Sequence, residues 1–247
     1  MKCASSVTCT WTGDITVGVS GAIIQADPSS TFTITGNVNV VSYLLTFQGA
    51  STNTNIVTGL VSGTGGVKKS GTGTWAFSNA NTYSGGMLFH NGTLGIHNAQ
   101  ALGTDTLVIT QGNPGNTLSL SNTSGADITH ANILVRINNN FRYVGTNNLN
   151  LGAGNVSLTA DVACNVLTNY TLTIDGVVSG AFAFTKNGAG TLEFNGANTY
   201  TGATTINNGI LQISNAQGTG TTAGGVNVAS GGTLALTGGI SVGAEAL

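Results

Sequence analysis

A hydrolytic or lyase centre needs ionisable groups brought together, and this chain of 247 residues has few to bring. Its acids are Asp14, Asp27, Asp105, Asp127, Asp161, Asp175, Glu193 and Glu245, scattered singly. Glycoside hydrolysis needs two carboxylates flanking one bond, and no such pair stands out. Asp161, Arg136 and Arg142 could approach one another across neighbouring strands; they are read as a local charge pair or solvated residues. His90, His97 and His130 are expected at the surface or at strand edges rather than as ligands. Cys3, Cys9 and Cys164 share no metal-ligand spacing with a histidine or with one another. Cys3 and Cys9 could close a short loop and leave Cys164 free. The plainer reading is three unpaired thiols, with Cys164 packed as a small apolar residue. Gly218-Thr-Gly-Thr-Thr-Ala imitates a dinucleotide fingerprint without its βαβ context. Gly63-Thr-Gly-Gly66 lacks the aspartate of a calcium-binding nonapeptide. No catalytic, cofactor-binding or metal-binding residue is assigned, and the chain is read as a non-enzyme without a cofactor.

Composition removes further classes. Lys and Arg number 6 and Asp and Glu 8, against roughly a quarter charged in ordinary soluble domains, so solubility falls to Thr, Ser and Asn. A net charge of -2 gives no basic footprint for nucleic acid or an anionic membrane. No apolar run approaches a membrane span, and residues 1 to 10 hold no apolar core of an export signal. Membrane insertion and a cleavable signal are therefore not expected. The 38 glycines punctuate apolar/polar alternation, which is turn spacing rather than disorder.

What must position any functional side chain is a repeat. Sliding the sequence by 117 residues lays Lys69 on Lys186, Gly71 on Gly188, Gly73 on Gly190 and Phe77 on Phe194. The same shift lays Asn81 on Asn198, Tyr83 on Tyr200 and Gly85 on Gly202. Between Lys69 and Gln100, 17 of 32 positions are identical without an insertion, which means one structural module used twice. The copies span 59–104 and 176–221. Of the ionisable residues inside them only the two lysines recur: His90 lies opposite Asn207, His97 opposite Ser214 and Glu193 opposite Ala76. Tyr83 and Tyr200 are expected to pack over a strand edge with the hydroxyl reaching solvent or backbone, with glycan stacking as the alternative.

Around the copies, period-two segments such as Thr31-Phe-Thr-Ile-Thr, Thr106-Leu-Val-Ile-Thr and Thr171-Leu-Thr-Ile-Asp run four to six residues. No stretch shows helical periodicity with caps. Short strands at regular spacing suit a sandwich, a barrel or a solenoid, and the exact repeat favours an all-β, single-stranded parallel β-helix, a β-solenoid. At roughly 20 to 25 residues per turn it would make on the order of ten rungs. Residues 1–247 read as one continuous domain, with 1–20 as a possible N-terminal cap. Gly71, Gly73, Asn81 and Gly85 take the corners, with Phe77 inside a strand; Gly188, Gly190, Asn198, Gly202 and Phe194 repeat the assignment.

At these residues the sequence resembles a known family. Lys186-Asn-Gly-Ala-Gly-Thr-Leu-Glu-Phe-Asn-Gly-Ala-Asn-Thr-Tyr-Thr-Gly-Ala-Thr-Thr-Ile-Asn-Asn-Gly-Ile-Leu is similar to the passenger-associated repeat of bacterial autotransporters. The first copy departs at Trp75, Asn79 and Met87-Leu-Phe. The resemblance implies a right-handed parallel β-helix on a cell surface, an adhesin or a stalk.

The expected function is thus a non-enzymatic structural or adhesive extracellular surface protein, a β-helical stalk or self-assembling filament subunit. Its expected partners are further copies, end to end or side by side, and a host-surface or glycan receptor. The alternatives are a virion surface or fibre protein, a polysaccharide-degrading β-helix enzyme, and an ice-binding solenoid. The enzyme requires convergent carboxylates, and the ice binder requires a regular Thr-x-Thr face that Thr31-x-Thr33-x-Thr35 and Thr171-x-Thr173 only begin.

Overall fold

The computed structural model describes residues 1–111 and 117–243. Glu245, counted above among the acids, lies outside them. Every described element is a strand, and every strand pair among the described residues is parallel. The fold is a parallel β-solenoid. Two compact units divide the chain, Met1–Ser124 and Gly125–Leu247, with one repeat copy in each.

In the first unit Lys2 lies opposite Gln25, and Val67 opposite both Leu45 and Met87, so one coil takes about 20 to 23 residues. Alternation along each strand then sorts side chains inward and outward. Ile24, Phe47, Lys69, Phe89 and Ile109 form one inward column, because each stands opposite the next in register. A second column runs Asn55, Trp75, Leu94, Leu120. Phe32, Phe47, Trp75 and Phe77 pack between the two, with ring centroids 5.0 to 5.9 Å apart. Such tilted and edge-on pairs each add about 0.5–1.5 kcal/mol beyond their buried area. Trp75 also donates its indole N–H to Gln48 O at 3.0 Å, tying the core to the corner outside it.

In the second unit the inward column that contains a lysine runs Phe141, Cys164, Lys186, Ile206. Another runs Leu172, Leu192, Leu211, Leu234. Phe184 and Phe194 meet edge to face at 5.1 Å. The tail supplies Val226–Val228 and Gly232–Leu236, each paired to the coil before it.

Residues 1–20 are the first coil of their unit: Lys2–Cys3, Thr8–Trp11 and Ile15–Thr16 each pair with a strand of the next coil. One sequence reading is corrected here. Cys3 and Cys9 are joined in a disulfide, and the buried Cys164 is the free thiol. The corner between the first two strands brings the two Cα atoms to 5.9 Å, inside the range a bridge spans.

Candidate functional site

The ionisable pair that recurs in the repeat proves to be buried. Lys69 and Lys186 are both fully inaccessible, each in a column of aromatic and aliphatic side chains. Parity puts them there, since Val67 and Phe184 two residues earlier also point inward. Each ammonium reaches the corner that follows its strand. Lys69 Nζ donates to Ser70 O, Gly71 O and Asn91 O at 2.9, 2.9 and 2.7 Å. Lys186 Nζ donates to Asn187 O, Gly188 O and Asn208 O at 2.8, 2.7 and 3.1 Å. Three donors meet three carbonyls that turn inward where the chain leaves the sheet, satisfying acceptors no strand can reach. The corner needs glycine: Gly71 and Gly188 have φ of 69° and 78°, and a Cβ would stand 2.5 Å from Gly49 O and 2.3 Å from Val166 O.

Burial opposes the charge that the carbonyls favour. It pushes Lys69 from 10.5 down to about 7 and Lys186 down to about 8, the latter opposed by the neighbouring Cys164. Burial pushes the Cys164 thiol up to about 12 against the pull of Lys186, so it stays protonated and unreactive. The lysines have a consequence for stability. A base with a lowered folded pKa binds fewer protons folded than unfolded, so stability rises with pH between the two values. Chemical denaturation is therefore expected to give increasing stability from pH 7 towards 10.5, and Lys69→Met should flatten part of that slope.

A second recurring device is Asn81 and its counterpart Asn198, each 1% exposed. Asn81 Oδ1 accepts from Val61 N at 2.8 Å on the coil before, and Nδ2 donates to Ala101 O at 2.7 Å on the coil after. Asn198 does the same between Val178 N and Gly218 O, at 2.8 and 2.7 Å. One amide thus spans three coils. Gly85 and Gly202 lie where a Cβ would meet backbone of the preceding coil, at 2.5 Å from Gly65 C and 2.3 Å from Ala183 N. Gly73 and Gly190 donate their amides to Gly49 O and Val166 O. Phe77 and Phe194 are fully buried.

The tyrosines differ from expectation. Tyr83 and Tyr200 are both wholly buried, which leaves neither hydroxyl in solvent and neither ring free to stack on a glycan. Tyr200 OH lies 2.5 Å from Thr204 Oγ1, which donates onward to Thr219 O at 2.8 Å. In the first copy Met87 and Leu102 stand where Thr204 and Thr219 stand in the second, and the Tyr83 hydroxyl is buried without a partner. Tyr83→Phe should leave stability unchanged or raise it, whereas Tyr200→Phe should lose about 1 kcal/mol; paired urea melts read the contrast.

Among the histidines, His90 and His97 are half-buried, and His97 Nε2 lies 2.8 Å from Thr123 Oγ1. His130, expected at the surface, is 1% exposed with Nδ1 2.6 Å from Ala131 O. Burial lowers all three pKa values, with Lys68 adding to the effect at His90. Asp161 accepts the Ala183 amide at 2.9 Å. Among the described residues no three His, Cys, Asp or Glu side chains converge to hold a metal, and no helix is long and apolar enough to cross a membrane.

An open groove of about 490 Å³ lies on the first unit, along the corner that Lys69 supports. Gln25 and Gln48 face each other in register, and the ladder continues to Ser70 and His90, whose amides donate to Phe47 O and Lys69 O. The short Ser70 between Gln48 and His90, with Gly49, Ala50 and Gly71 beside it, leaves the gap. Asp27 closes one end, accepting from Lys2 Nζ at 2.8 Å and Gln25 Nε2 at 2.7 Å. The lysine contact, then the glutamine one, holds its carboxyl below the usual range. Sequence reading missed this corner because its residues belong to four coils and adjoin only in the ladder.

Geometry and repeat together define the class: a solenoid whose recurring residues hold consecutive coils together. Residues 67–96 and 184–213 match the passenger-associated-transport-repeat model. The chain carries two copies of that repeat. It is 33% identical over 202 residues to the adhesin BmaC autotransporter of Brucella suis biovar 1 (strain 1330), an alignment that takes in 81% of this chain. The alignment spans 5% of that relative's length. No solved structure matches.

Proposed function

We propose that the chain is a non-enzymatic, β-helical segment of a surface-exposed adhesive protein, a scaffold that projects and presents contact surface outside the cell. The observation that carries this reading is where the recurring residues are placed. Lys69, Asn81, Phe77 and their counterparts are buried in the solenoid and satisfy its corners and core, so what the repeat conserves between its copies is scaffold. Similarity to a relative named as an adhesin supports the adhesive role, and the Cys3–Cys9 disulfide suits an oxidising compartment. Self-association of copies belongs to the same proposal, and sedimentation velocity over a range of concentrations reads it.

Latex particles coated with the purified chain provide the test of adhesion. They are expected to bind cultured epithelial cells or an extracellular-matrix layer above albumin-coated particles, with no turnover of polyuronates or neutral glycans. Particles that bind no better than the albumin control would overturn the adhesive role. Release of oligosaccharides from any of the glycans would return the enzyme reading.

A further inference from the structure

We propose that the groove over Gln25, Gln48, Ser70 and His90 binds a neutral, hydroxyl-rich glycan chain, an inference that gives the adhesive reading above its ligand class. Three observations carry it. The first is unused hydrogen-bonding capacity. Gln48 Nε2 donates to Gln25 Oε1 at 3.0 Å, but Gln48 Oε1, Ser70 Oγ and the ring nitrogens of His90 have no hydrogen bond among the described residues. An amide, a hydroxyl and a neutral imidazole can each accept or donate in such a cleft, as a sugar hydroxyl does.

The second is charge and backbone. Asp27, the carboxylate of the groove, is already neutralised by Lys2 at 2.8 Å, so nothing selects a strongly charged ligand. The strands beneath are paired on both sides, Leu45–Gly49 and Val67–Lys69 each between two neighbours. A peptide would find no open edge to extend as an added strand. Successive ladder positions rise by about 4.8 Å, comparable to the advance of one ring in a linear glycan, so a chain lying along the groove meets a new side chain at each sugar.

The third is the comparison within the molecule. The 117-residue shift lays Asn165, Asn187 and Asn207 on Gln48, Ser70 and His90. There Asn165 lies opposite Asn187, and Asn207 Nδ2 donates to Asn187 Oδ1 at 2.9 Å. The second corner joins two of its three amides to each other. The first has the same supporting lysine, the same glycine and the same fold, yet sets a long, a short and an aromatic side chain at these positions, and the groove opens over the short one.

The second corner suggests the variant Ser70→Asn/His90→Asn, since it carries asparagines at the equivalent positions 187 and 207. Manno-, malto- and cello-oligosaccharides of four to six units, titrated calorimetrically into the purified chain, are the probes. At least one series is expected to bind, and the double variant to bind it about tenfold or more weakly with its melting temperature kept. Absence of binding by all three at millimolar concentration, equal binding by the variant, or preference for an oligogalacturonate would overturn the proposal. The coated particles separate it from the broader reading. Adhesion that the double variant retains in full removes the groove and leaves the adhesive role, whereas oligosaccharide binding without particle adhesion does the reverse.

Discussion

Replacing either buried lysine by methionine should cost about 3 kcal/mol of stability at neutral pH. Methionine fills a similar volume in the column between Phe47 and Phe89, or between Cys164 and Ile206, so the change is not chiefly one of packing. What is lost is the donor to three inward carbonyls. A polar group left buried and unsatisfied costs about 1–3 kcal/mol, and removing the ammonium relieves its own desolvation, which offsets part of the total. Urea unfolding of Lys69→Met and Lys186→Met measures the balance. A change below about 0.5 kcal/mol in both would mean that the corner carbonyls find water or other donors once the lysine is gone.

Asn198→Leu should be nearly as damaging, at about 2–4 kcal/mol. The side chain is the partner of Val178 N–H below and of Gly218 C=O above, and leucine, of similar size, leaves both orphaned in the interior. Asn198→Asp is the informative control. It keeps an acceptor for Val178 N–H but turns an acceptor towards Gly218 O, and burial of its charge adds to the cost, so it should not rescue the stability. A denaturation midpoint for Asn198→Asp equal to that of the unaltered chain would contradict the assignment of the amide's two ends.

Much of the fold was legible in the sequence because a solenoid is a one-dimensional object. The 117-residue shift, the period-two strands and the absence of helical periodicity are all local or translational patterns, and a parallel ladder converts them directly into stacked coils. The roles of individual residues were less legible. Lys69 recurs at an inward parity position, which was a usable signal, but the usual expectation for lysine is the surface. Tyr83 and Tyr200 match in sequence, yet their hydroxyls have different surroundings because Met87 and Thr204 differ four residues on. The Cys3–Cys9 bridge depended on the angle of one corner. The groove was hardest to see: Gln25, Gln48, Ser70 and His90 lie in four coils, and their adjacency is created by the ladder alone.

The enclosed Trp75 has a practical outcome. Both tryptophans, Trp11 and Trp75, fall within Met1–Ser124; one is 42% exposed and the other sits among Phe32 and Phe47 at 1%. Intrinsic indole fluorescence therefore reports on the first unit alone. A Trp11→Phe protein would make it a single-site reporter, whose emission shifts to the red only when the coil around Trp75 opens. Set beside circular dichroism, which sees every strand, that signal tells whether the chain unfolds in one step or in two.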